Sequence, residues 1–119
     1  MGKTPDTHRV AIAVSGAGAF TYSLNPIRAT PDDIIEWSCE SGAWSIQVAG
    51  LQNEQTKALE QGKTPFAESK RSARANQRAA NGLTVAANAA FGTYKYNVAV
   101  VVDGNVFIDD PEIIIGGKG

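Results

Sequence analysis

The stretch that decides the fold is GTYKYNVAVVV, residues 92–102. Tyr94, Tyr96, Val98, Val100 and Val102 fall on one side of a two-residue alternation, and Lys95, Asn97, Ala99 and Val101 fall on the other. A period of two is that of a strand, and aromatic and β-branched side chains suit its pleated surface. This is the longest strand signal in the chain. The DGN that follows is a strong short turn. VFIDDPEIIIGG then supplies one more strand or two short pieces, with DDP as the kink.

The first half repeats the pattern. RVAIAVSG aligns Val10, Ile12 and Val14, and AFTYSL aligns Phe20, Tyr22 and Leu24. DIIEWSCE places Ile35, Trp37 and Cys39 opposite Glu36, Ser38 and Glu40, which marks the Trp37 side as the inner face. AWSIQVAGL aligns Trp44, Ile46 and Val48 against Ser45 and Gln47. Short strands punctuated by turns predict an all-β sandwich, and a long excursion before the last strands fits a Greek-key crossover.

The middle differs. Residues 52–90 hold few large apolar groups, and a helical or irregular excursion is expected at about residues 52–82. NEQTKALEQG has a helix-forming composition and ends in glycine. In TPFAESKRSARANQRAANG, Thr64 is a candidate N-cap, Pro65 the first helical position and Gly82 the stop. No apolar stripe accompanies these signals, so the segment is either a weakly packed helix or an irregular excursion. LTVAAN is a candidate short strand.

A chain of 119 residues suits a single domain, 1–119, with residues 1–8 and 116–119 expected to fray. A net charge of −1 gives no global attraction for nucleic acid or a membrane surface. The N-terminal segment lacks an apolar run of signal-peptide type, so a cytoplasmic location is favoured unless a leader has been removed. With one cysteine, Cys39, no disulfide can form within the chain.

Several constellations have a plain structural explanation. GAGAF, 16–20, is followed by another strand rather than by a helix N-terminus, so it reads as a turn and not a phosphate loop. Ser45 lacks nucleophile-elbow spacing, and the single histidine, His8, lies in a polar N-terminal segment, so no catalytic residue is assigned. Asp103, Asn105, Asp109 and Asp110 lack EF-hand spacing and fit a hairpin turn and a charged kink. Lys70, Arg71, Arg74 and Arg78 would share one face if their segment were helical. They make the one marked local charge excess and the expected partner-binding surface, without interleaved aromatics for stacking bases.

The chain resembles the cupredoxin family over about residues 8–115, less well in the middle. PIRATPDDIIEWSCESG, AWSIQVAG, GTYKYNVAVVVDG and DPEIII carry the resemblance, in this order. It implies a Greek-key β-sandwich in which Trp44, Val98 and Val101 stand where the family has its first copper histidine, its cysteine and its second histidine. A blue-copper site needs two imidazoles and a thiolate. One histidine cannot supply them, so a family copper site within one chain is excluded by composition and no cofactor is expected. Trp44 and Val98 are then expected to fill the vacated volume as core.

The expected role is a non-catalytic binding or assembly module with a protein partner, self or other, with edge-strand pairing as a second route to assembly. The rivals are a small-molecule pocket or cryptic enzyme at the sandwich end near Trp44, Tyr94 and Tyr96, and a metal shared between chains through His8 and Cys39.

Overall fold

A computed structural model describes residues 4–61, 63–67 and 72–117. Among the described residues eleven strands form: β1 (Thr7–Val14), β2 (Phe20–Tyr22), β3 (Ile27–Ala29), β4 (Ile34–Cys39), β5 (Ala43–Gln52), β6 (Leu59–Gln61), β7 (Ser72–Ala75), β8 (Asn81–Thr84), β9 (Gly92–Val102), β10 (Asn105–Asp109) and β11 (Glu112–Ile115). They make two packed open sheets, a sandwich-like arrangement. The smaller runs β2-β1-β4-β8. The larger, of seven strands, runs β3-β11-β9-β5-β6, with β10 also on β9 and β7 also on β5.

The alternation at 92–102 is realised in β9. Tyr94, Tyr96, Val98 and Val100 are all buried, and Val102 is half-buried. β5 pairs along most of one side of β9. The other side is shared: β11 takes Gly92–Lys95 and β10 takes Val98–Val102. The break between β10 and β11 falls at Asp110–Pro111, where proline has no N–H to give the ladder. Asp103 and Gly104, both at positive φ, close the β9–β10 hairpin as the DGN signal predicts.

Each sheet contains one parallel pair, β1 with β4 and β3 with β11. A parallel pair needs a crossover, so the chain passes repeatedly between sheets. One core results, drawing Val10, Ile12, Ile35 and Trp37 from one sheet and Trp44, Ile46, Tyr96 and Ile113 from the other. Trp37 lies edge-on to Phe66 at 6.0 Å and tilted against Tyr96 at 5.8 Å. Gly42 admits no side chain, because a Cβ there would fall on the Val101 carbonyl oxygen.

The described part of the middle contains no helix. Asn53 Oδ1 instead accepts the Gln55 and Thr56 N–H groups in a turn, and β6 returns to pair with β5. Thr64 Oγ1 accepts the Phe66 N–H, and Phe66 is buried against Trp37 rather than starting a helix. Ser72–Ala75 is a strand in which Ala73 is buried and Arg74 exposed, a period of two that the composition obscured. β1 begins at Thr7, inside the segment expected to fray.

Candidate functional site

At the three positions matched to copper ligands, the side chains diverge. Trp44 and Val98 point into the core, at 3% and 0% exposure. Val101 lies on the opposite face of the sheet and is 41% exposed. The strand continues through this region to Val102. Trp44 Nε1 is a buried N–H without an acceptor among the described residues.

The pocket expected near Trp44, Tyr94 and Tyr96 does not gather these three. Trp44 pairs with Val100 and Leu51 pairs with Tyr94. Six residues of strand therefore separate the two ends, about 20 Å at the rise of a β-strand. Tyr94 donates its hydroxyl to the Ala90 carbonyl at 2.7 Å and lines a cavity of about 330 Å³ with Lys63, Thr64, Phe66 and Ala89. Burial raises its phenol pKa. Tyr96 sits between the sheets, where burial pushes its phenol up to about 12 against the opposing effect of the Trp37 indole N–H.

The basic group is also dispersed. Lys70 and Arg71 lie outside the described residues. Arg74 is exposed on β7, in register with Ser45. Arg78 occupies a turn at φ 66°, with its N–H donating to the Cys39 carbonyl and its guanidinium 3.6 Å from Glu40. Arg74 and Arg78 therefore do not share a helical face. Arg74, Ser45, Gln47 and Asn81 line a polar groove of about 530 Å³.

Beside Arg74 is a feature that the sequence reading passed over. Directly opposed residues of antiparallel strands share a face. Ala43, Val101 and Val106 form one row across β5, β9 and β10, and Ser45, Ala99 and Ile108 form the next. Val106 and Ile108 are 59% and 69% exposed. With Val101 they make an apolar strip on the outer face of the larger sheet, bordered by the polar groove. In NVFID the alternation sets Val106 and Ile108 against Asn105, Phe107 and Asp109, which points the two aliphatics inward; the structure reverses this, turning Phe107 inward and leaving Val106 and Ile108 in water.

Asp33 was also missed. It is 2% exposed, the only buried polar or charged residue among those described. Its Oδ1 accepts the Asp6 N–H at 3.0 Å. Its Oδ2 lies 2.9 Å from His8 Nε2 and accepts the Thr30 N–H and hydroxyl. Burial alone would raise the carboxyl pKa, but the hydrogen bonds from His8, Asp6 and Thr30 outweigh it and hold the group well below the usual carboxylate range. An ionised carboxylate only accepts, so His8 carries its hydrogen on Nε2. The pair borders a cavity of about 260 Å³ with Arg28 and Ile114. Its evident work is to tie the start of β1 to the turn before β4.

His8 and Cys39 do not converge. His8 is in register with Ile35 and Cys39 with Ile12, four residues along the same parallel pair and about 13 Å apart. Cys39 is 1% exposed, out of reach of a second chain. Among the described residues no three His, Cys, Asp or Glu side chains group as metal ligands, and no helix is long and apolar enough to cross a membrane.

Fold and surface thus define an all-β protein of two packed open sheets, with a covered core, a buried polar staple and an exposed apolar strip. No protein-family model matches the chain, and no curated protein matches it.

Proposed function

We propose that the chain is a non-catalytic assembly module on a cupredoxin-like Greek-key scaffold without copper, docking a protein partner through the outer face of β9 and β10. The observation that carries this reading is the strip of Val101, Val106 and Ile108, three adjoining aliphatic side chains left in water on one sheet face. Contiguous exposed apolar surface marks interaction sites, whereas single exposed residues do not. The neighbouring Ser45, Gln47 and Arg74 supply the polar rim that such interfaces carry around an apolar centre.

The scaffold reading is supported by the crossovers that the two parallel pairs require, and by the burial of Trp44 and Val98 at the matched ligand positions. A small-molecule site at Trp44, Tyr94 and Tyr96 finds no such support, since Trp44 and Tyr94 stand at opposite ends of the β5–β9 pairing.

The test compares wild-type protein with a Val106→Lys/Ile108→Lys variant as baits, each verified as folded by circular dichroism. Proteins bound by the wild type and lost from the variant support the reading. An unchanged set of bound proteins contradicts it. A parallel Arg74→Glu variant tests the rim and is expected to weaken binding less than the apolar pair.

A further inference from the structure

We infer that the partner at this face is a second copy of the same chain, joined edge to edge through β10 so that the larger sheet runs continuously across the pair. The inference rests on the docking reading above and adds the identity of the partner.

The first observation is the edge itself. Among the described residues β10 pairs only with β9, so its far edge presents unpaired backbone groups. Native edge strands are usually shortened, broken by bulges or charged, because an open edge recruits another strand. The other edges here follow that rule: β2, β3 and β6 have three residues each, β7 carries Arg74, and β8 has four residues with Gly82 among them. β10 is five residues long, pairs with β9 in unbroken register and holds Val106, Phe107 and Ile108 in succession. No lysine, proline or bulge interrupts it, and its one charge, Asp109, stands at its end.

The second observation is that β10 is complementary to itself. Antiparallel pairing about a two-fold axis at Phe107 sets Asn105 opposite Asp109 of the other copy and Val106 opposite Ile108. On the outer face Val106 and Ile108 of each copy then stand beside side chains of the same kind from the other. The two Asp109 carboxylates lie at opposite ends of the pairing, each facing an asparagine rather than a like charge, and each is already held by the Tyr22 hydroxyl of its own chain at 2.6 Å. Such a contact is isologous and closes at two copies, leaving no further β10 edge for growth.

Five residues of strand and one apolar strip fall short of the roughly 20–30 residues a side of a standard stable interface. The pair is therefore reversible, and its population follows concentration.

Sedimentation equilibrium of the full chain over a roughly hundredfold concentration range is expected to show the mass rising from 12.5 kDa toward a doubling. The Val106→Lys/Ile108→Lys variant is expected to stay at the monomer mass. Register is read by cross-linking. A Val106→Cys chain mixed with an Ile108→Cys chain is expected to form a disulfide-linked dimer on mild oxidation, because opposed residues lie about 4.5–5.5 Å apart at Cα. Either chain alone is expected to cross-link at least tenfold less, because its two cysteines are offset along the strands. Cys39 is buried and does not compete. A wild-type mass fixed at that of the monomer, or equal cross-linking in the single and mixed samples, would overturn the inference. If the bait comparison still shows proteins lost from the lysine variant, the docking face survives with a different partner; if it does not, both readings fall.

Discussion

Removing the Asp33 carboxylate is expected to cost more than any other single polar deletion in this chain. Asp33→Ala takes the acceptor from the Asp6 and Thr30 N–H groups, the Thr30 hydroxyl and His8 at once, and leaves these partly buried donors without it. Leaving such donors without their acceptor costs about 1–3 kcal/mol. At about 4 °C per kcal/mol for a domain of this size, the melting temperature falls by about 4–12 °C. Asp33→Asn keeps the shape and one acceptor oxygen, and is expected to cost roughly half as much.

The pH dependence follows from the direction of the shift. The folded carboxyl lies below its unfolded value of about 3.9, so its contribution is complete above about pH 5 and is lost as pH falls toward the folded pKa. The stability gap between wild type and Asp33→Asn, from urea melts, should therefore be full at about pH 7 and narrow by about pH 3. A gap that is the same at both, or an Asp33→Ala loss below about 1 kcal/mol, would refute the reasoning.

Alkaline titration followed by phenolate absorbance should find all three tyrosines of the folded chain late. Burial raises Tyr94, Tyr96 is pushed up to about 12, and burial followed by the Asp109 carboxylate holds Tyr22 higher still. Since unfolded tyrosines ionise near pH 10, stability is complete below that value and declines as pH rises above it; phenolate signal near pH 10 from folded protein would contradict the burial of these rings. Tyr22→Phe removes the 2.6 Å bond that joins the two sheets and should cost about 1 kcal/mol in urea melts, with no loss meaning that the bond does not hold the sheets. Metal analysis after incubation with copper(II) or zinc(II) and exhaustive dialysis should find neither at stoichiometric level; one equivalent of either would sink the copper-free account.

Much of the frame was legible because period two is unambiguous where one face is apolar and the other is not. Trp37 against Glu36 and Ser38, and Ile46 against Ser45 and Gln47, assigned inner faces that the packing bears out. The middle was less legible because its inward residues in β7 are alanines. Ala73 reads like helix composition, and only pairing with β5 makes it a strand residue. Asp33 gave no signal beyond a turn, since its role depends on backbone groups at Asp6 and Thr30 that the fold brings to it. The apolar strip was hidden for the opposite reason: in β10 the alternation sets Val106 and Ile108 against Asn105 and Asp109 and so points them inward, whereas packing turns Phe107 inward instead.

Amide hydrogen exchange at Val106, Phe107 and Ile108 tests the central claim most directly. If β10 docks against a second copy, alternate amides along it that face the open edge should gain protection as protein concentration rises, while those bonded to β9 remain protected throughout. Edge-facing amides that exchange at the same rate in dilute and concentrated protein would contradict it.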